Sequence, residues 1–176
     1  MNNCFIILAA GSGQRFNSKI PKQFIYYKGK RVYEHSIDKA VKSRIFKKIV
    51  LVIHKSCLKY VRKDKNIKII FGGKNRHNSS LKALTYIKRF NPKNVFIHDA
   101  ARPNFKIELI KSLIRHVKNF DAVVPYIKPV DSVKYKKEKM YNLEKKNIKL
   151  TQTPQCFVFK KLYKYSKYNK IKIEDE

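Results

Sequence analysis

Residues Phe5 to Gln23 read F-I-I-L-A-A-G-S-G-Q-R-F-N-S-K-I-P-K-Q. A short apolar strand, Phe5 to Leu8, runs into two alanines and two glycines, which leave the backbone almost bare from Ala9 to Gly13. Backbone N–H groups in such a loop can approach and cradle an anion such as a polyphosphate. Arg15 and Lys22 add two cations within the same stretch, suited to a group that carries several negative charges. The plainer reading is a tight strand-to-helix turn, common in α/β domains. Two named templates fail: there is no third glycine for the dinucleotide fingerprint and no G-K-[ST] for the P-loop.

Working outward, the chain reads as one α/β domain. Val32 to Val41 has helical spacing. Ile49 to Ile53 is a continuous β-branched and leucine run, as in a strand buried on both faces of a parallel sheet. Lys68 to Phe71 repeats that signal and ends in Gly72 and Gly73. Asn78 to Phe90 reads as a helix that Asn78 or Ser79 can cap. Val95 to Ile97 is the next strand and leads into H-D-A-A-R-P from His98. A helix face through Ile107, Ile110, Leu113, Ile114 and Val117 precedes a further strand at Ala122 to Val124. This alternation predicts a mostly parallel sheet with right-handed crossovers. Lys128 to Leu150 breaks the pattern and reads as a disordered insertion or a projecting β-arm. Thr151 to Phe159 returns to order, and Lys160 to Tyr168 begins a last helix.

Composition bounds the function. A chain of 176 residues with 43% apolar content holds one real core. No apolar run is long enough for a membrane span and no leader pattern opens the chain, so the expectation is a cytoplasmic enzyme without a membrane partner. Cys4, Cys57 and Cys156 are scattered without metal-ligand spacing and are expected to be free thiols in a reducing compartment. The net charge of +30, from 42 Lys and Arg against 12 acids, points at first to nucleic acid. The lysines are spread along the whole chain, however, which fits compositional drift better than a binding patch. Lys134 to Lys139 and Lys160 to Lys172 are the segments where such binding would act, with a steep salt dependence.

In open α/β sheets ligands gather at the carboxyl ends of strands. Three motifs fall there: the first loop, G-G-K-N-R-H-N-S from Gly72, and H-D-A-A-R-P from His98. Each also reads as an ordinary strand-end turn. A carboxylate at Asp99, beside a polyphosphate site, makes sense if it holds or orients a divalent cation. Arg102 can pair with Asp99 or bind a second anion. His98 is expected to satisfy local hydrogen bonds, and His77 and His116 to lie at the surface.

Taken together, A-A-G-S-G-Q-R, P-K-Q, G-G-x-x-R-x-x-S, H-D-A-A-R-P, the Asp131–Ser132 pair and Q-T-P-Q-x-F resemble the 2-C-methyl-D-erythritol 4-phosphate cytidylyltransferases over nearly the whole chain. The resemblance implies a Rossmann-like three-layer domain of the nucleotide-diphospho-sugar transferase type, residues 1–176, with a dimerisation arm at 128–150. It implies Mg²⁺ as cofactor, CTP and a polyol phosphate as partners, and a homodimer. Ala9, Ala10, Gly11, Ser12 and Gly13 would hold CTP, with Gly72 and Ser79 near its base and ribose. Arg15 and Lys22 would stabilise the transition state. Asp99, Arg102 and Ser132 would lie by the acceptor or the metal, with Asp99 the metal ligand. Lys145 stands where the family places an arginine that reaches the acceptor phosphate from the partner subunit. The Pro129 to Ser132 loop is one residue shorter than the family pattern. The family also continues past the point where this chain reads Ile173, Glu174, Asp175 and Glu176, so a truncated inactive nucleotide-binding remnant and a pentitol-phosphate (ribitol-phosphate) cytidylyltransferase remain as alternative expectations. An exposed sheet edge is expected to accompany the early end.

Attack by a phosphate oxygen on a nucleoside triphosphate needs no strong base. Positioned cations carry the acceleration. Arg15→Ala and Lys22→Ala should therefore each lower turnover by about 10²- to 10³-fold and leave the melting temperature nearly unchanged. Steady-state rates measured beside thermal melts check this, and wild-type turnover in either variant contradicts the assignment.

Overall fold

The computed structural model describes residues 2–11 and 20–168. Its strands are β1 (Asn3–Ala9), β2 (Tyr26–Tyr27), β3 (Lys30–Arg31), β4 (Phe46–Ile53), β5 (Ile67–Phe71), β6 (Asn94–Asp99), β7 (Ala122–Val123), β8 (Tyr126–Ile127), β9 (Val133–Lys136), β10 (Met140–Leu143), β11 (Leu150–Thr151) and β12 (Gln155–Val158). Its α-helices are α1 (Val32–Ser43), α2 (Arg76–Ile87), α3 (Ile107–His116) and α4 (Phe159–Tyr168).

Six strands form one sheet in the order β5-β4-β1-β6-β12-β7. The first four are parallel, and β12 runs antiparallel to both β6 and β7. β1 alternates along its length as a strand must. Phe5, Ile7 and Ala9 join the core on one face with Tyr33, Ile37 and Ala40 of α1 and Ile110 and Leu113 of α3. Cys4 and Ile6 join the core on the other face with Ala83, Leu84 and Ile87 of α2 and Phe159 of α4. Helices thus cover both faces, which gives the three layers expected from the sequence.

The order of connections locates the crevice. From β1 the chain steps outward through α1 to β4 and then β5. It returns through α2 to β6 on the other side of β1. The reversal leaves the carboxyl ends of β1 and β6 at a topological switch point, flanked by helices on opposite faces. Leu8 stands opposite Asp99 in the register, and the Ala100 N–H donates to the Leu8 carbonyl at 3.0 Å.

Several boundaries differ from the sequence reading. α2 starts at Arg76, capped by neither Asn78 nor Ser79. Asn75 is extended and its side chain accepts from the Asn78 N–H at 2.8 Å, so the cap sits one turn earlier. β2 and β3 form a small hairpin whose two turn residues, Lys28 and Gly29, both have positive φ, 49° and 78°, as a primed turn requires. The region 128–150 is a β-arm: β8 pairs with β11 and β9 with β10, both antiparallel. The main sheet ends in β5 on one side and on the other in β7, only two residues long. No helix among the described residues is long and apolar enough to cross a membrane. All three cysteines are buried free thiols, and burial pushes Cys4 up to about 11 and Cys156 up to about 12.

His98 on β6 is fully buried. Its Nε2 meets Ser36 Oγ of α1 at 3.0 Å, and its Nδ1 meets Thr153 Oγ1 at 3.0 Å. Desolvation first, then the charges of Lys39 and Arg102, lower its pKa from 6.5 to about 3. The unfolded chain therefore binds one more proton than the native chain between those two values. The neutral imidazole's contribution is fully present above pH 6.5 and is lost as the pH falls toward 3, by about 1.4 kcal/mol per pH unit. Urea unfolding from pH 7 to pH 4 should show this slope in the wild type in excess of His98→Gln. Parallel pH profiles for the two proteins contradict it.

Candidate functional site

Three strand-end segments meet at the crevice. The first follows β1: Ala9 is buried, Ala10 half-buried and Gly11 exposed. Ser12, Gly13 and Arg15 lie outside the described residues. The loop resumes at Pro21, and Lys22 heads a short 3-10 turn closed by the Phe24 N–H on the Pro21 carbonyl at 2.8 Å. Lys22 is exposed, whereas Gln23 beside it is 4% exposed and donates through Nε2 to the carbonyls of Ala9 and Gly11, each at 2.9 Å.

The second segment follows β5. Gly72 donates to the Ile53 carbonyl at 2.8 Å, which carries sheet bonding one residue past the strand. A Cβ built on Gly72 would lie 2.6 Å from Ala10 Cβ and 2.8 Å from Ser79 Oγ, and one on Gly73 would lie 2.4 Å from Asn78 Cβ. Only glycine lets these two loops touch. Ser79 is buried, its Oγ accepts from the Gly73 N–H at 3.0 Å, and Lys82 caps the Gly72 carbonyl at 2.9 Å. The sequence-predicted residues Ala10, Gly72 and Ser79 are thus in one cluster.

Asp99 ends β6 and sits between two guanidinium groups. Arg76 donates to Oδ1 through Nη2 at 3.1 Å and Nε at 3.3 Å, and Arg102 Nε lies 3.5 Å from Oδ2. Arg102 also donates to Gln152 Oε1 at 2.8 Å. The Asp99 N–H donates to Thr153 Oγ1 at 3.3 Å, so the same hydroxyl serves Asp99 and His98. The side chains of Arg76, Asp99 and Arg102 are 37%, 30% and 48% exposed. Pairs this wet add at most about 1 kcal/mol to stability, and the arrangement matters for where it holds charge. Arg76 carried no role in the sequence reading, although G-G-x-x-R-x-x-S places it one turn before Ser79 on the same helix face. Thr153 and Gln152 entered only as members of Q-T-P-Q-x-F, with no role of their own, since their partners lie some fifty residues away.

The arm residues stand apart. Ser132 is exposed, and Lys145 donates to the Val130 carbonyl at 2.7 Å, within the arm. His98 packs as a hydrogen-bonded core residue, His116 is exposed and His77 half-buried. Among the described residues no group of three or more His, Cys, Asp or Glu side chains is placed to hold a metal. Among the described residues, Asp99 would give Mg²⁺ one carboxylate, the remaining ligands coming from substrate phosphates and water. A carboxylate offers about four acceptor positions, so Asp99 keeps some beyond those facing Arg76 and Arg102.

A cavity of about 730 Å³ lies elsewhere, beside α1, lined by Tyr26, Tyr33 and Tyr60 with Arg62 and the Lys30–Asp38 ion pair. Its basic residues are offset by Glu34, Asp38 and Asp64, so its net charge per residue is about that of the whole chain. The strand ends, where three backbone segments converge without side-chain bulk, are the better candidate.

The family model described as IspD, 2-C-methyl-D-erythritol 4-phosphate cytidylyltransferase, matches residues 3–175. A bifunctional enzyme IspD/IspF of Pelagibacter ubique is 48% identical over 179 residues, covering 100% of this chain and 48% of that protein. A 2-C-methyl-D-erythritol 4-phosphate cytidylyltransferase of Caldicellulosiruptor bescii is 37% identical, covering 93% of this chain and 76% of its own length. Among solved structures, 4-diphosphocytidyl-2C-methyl-D-erythritol synthase of Anaerococcus prevotii superposes with a TM-score of 0.83 at 27% identity, over 98% of this chain and 80% of that one. Bifunctional IspDF of Campylobacter jejuni does so with a TM-score of 0.83 at 32% identity, over 96% and 44%. The chain spans about half the length of these bifunctional relatives.

The close approach at Gly72 gives a direct check. Gly72→Ala should cost about 1–3 kcal/mol by overpacking, whereas Gly11→Ala, with nothing within 4 Å among the described residues, should stay within about 0.5 kcal/mol. Denaturant midpoints measure both, and equal stabilities contradict the packing.

Proposed function

The chain belongs to the 2-C-methyl-D-erythritol 4-phosphate cytidylyltransferase family, and from that premise we propose that it transfers the cytidylyl group of CTP to 2-C-methyl-D-erythritol 4-phosphate, releasing pyrophosphate, in isoprenoid precursor synthesis. The single observation that supports this most is the crevice at the ends of β1 and β6. There the bare Ala9–Gly11 backbone, the Gly72 loop and the Asp99–Arg76–Arg102 cluster lie side by side.

The chemistry follows from those residue types. An oxygen of the acceptor phosphate attacks the α-phosphorus of CTP. The bond from that phosphorus to the oxygen bridging the β-phosphate breaks, and pyrophosphate leaves with the electron pair. The attacking oxygen is already ionised, so no proton has to be removed. The Ala9 to Gly13 backbone cradles the triphosphate, and Gly72 with Ser79 borders the base and ribose. Arg15 and Lys22 meet the charge that builds on the phosphoryl oxygens and the leaving bridge. Asp99, Arg102 and Ser132 border the acceptor, and Lys145 reaches its phosphate from the arm of a second copy. Asp99 would hold Mg²⁺, whose charge offsets that of the phosphates.

Residues 1–176 act on this reading as one nucleotidyltransferase domain, working in the cytoplasm. The arm at 128–150 pairs two copies as a homodimer. In support, Val130, Tyr135, Met140 and Tyr141 of the arm are all more than half exposed, and apolar surface of that kind favours burial against a partner.

Pyrophosphate release with Mg²⁺ tests the reading, comparing CTP with ATP, GTP and UTP, and methylerythritol phosphate with ribitol phosphate and no acceptor. Release with CTP and methylerythritol phosphate alone is the expected result. Release with ribitol phosphate instead assigns the pentitol reaction, and silence from folded protein with every acceptor overturns the proposal.

A further inference from the structure

Gln23 is a polar side chain where packing alone would call for an apolar one. It is 4% exposed and adjoins Phe24, which is fully buried against Tyr33 and Tyr60. A buried amide costs free energy unless it is hydrogen-bonded. Here its nitrogen, with two N–H donors, faces two carbonyls from residues two apart, Ala9 and Gly11, each at 2.9 Å. Those carbonyls frame Ala10, whose side chain abuts Gly72. In a planar trans peptide the C=O and N–H point opposite ways. Holding the Ala9 carbonyl toward Gln23 therefore turns the Ala10 N–H away from it. The same contact seats the turn that begins at Lys22 against the end of β1, so the Lys22 side chain starts from a fixed point.

We propose that Gln23 is the positioning residue of the nucleotide cradle: its carboxamide clasps the carbonyls of Ala9 and Gly11, so that the loop presents its N–H groups to the phosphates of CTP with Lys22 alongside. This rests on the cytidylyltransferase reading. Gln23 does not touch the nucleotide. It acts through the backbone that does.

The test titrates CTP with Mg²⁺ into the wild-type chain, Gln23→Met and Gln23→Glu, between pH 8 and pH 6, with the KM for methylerythritol phosphate measured beside it. Met fills the same volume without donors. Glu at pH 8 places a carboxylate against two carbonyl oxygens, but once protonated it has one O–H to donate, and burial raises its pKa. Both variants should bind CTP about ten- to a hundredfold more weakly at pH 8, while the acceptor KM changes little. Gln23→Glu, and not Gln23→Met, should regain part of that affinity at pH 6. Wild-type CTP affinity in Gln23→Met, or the same pH response in both variants, overturns the proposal. If neither variant folds, the wild-type Gln23 side-chain amide protons decide by NMR, shifting on addition of CTP if the clasp backs the cradle and standing still if it only packs. A wild-type chain that binds no CTP overturns the cytidylyltransferase reading and the clasp with it, and that result appears before any variant is made.

Discussion

The structure depends on the double pairing of β1. It is hydrogen-bonded to β4 on one side and β6 on the other, and Cys4 to Ile7 are fully buried between helices on both faces. A strand so enclosed has one way out. The chain leaves it at the carboxyl end, into the crevice opened by the reversal from β5 to β6. Residues there are small because the neighbouring strand-end loops arrive at the same place: Ala10 meets Gly72 with no room for another methyl group.

That crowding explains why the polar groups are reached from outside the first loop. Gln23 holds its carbonyls from a turn later in the chain, Arg76 approaches Asp99 from the start of α2, and Thr153 and Gln152 arrive from the segment that returns from the arm. His98 joins Ser36 of α1 to Thr153 and stays neutral because it is buried. The site is thus braced by both helical layers and by the base of the arm, while the faces that would receive ligand keep their backbone uncovered.

What the sequence disclosed follows from the range of each signal. β4 and β5 are β-branched runs, and α3 repeats its apolar residues at helical spacing. Both patterns are local, and all three elements lie where they were expected. The first loop, Gly72 and Asp99 stood out because bare backbone and a charge at a strand end are patterns of a few residues, and the structure brings Ala10 against Gly72 and Leu8 opposite Asp99. The cap of α2 was misplaced because three candidate side chains lie within five residues, and only the backbone angles of Asn75 select among them. Arg76, Thr153 and Gln23, which the sequence offered only as members of motifs, gained a role from partners 12 to 55 residues away. The charge of +30 was the loudest signal and the least informative, since lysines scattered on exposed faces say little about a site.

The central claim is that three strand-end loops form one nucleotide site. A crystal structure of the chain with CTP tests it most directly. The account predicts the triphosphate along Ala9–Gly11 and the base beside Gly72 and Ser79. CTP lodged instead in the cavity of about 730 Å³ beside α1, among Tyr26, Tyr33 and Tyr60, with the strand ends bare, would contradict it.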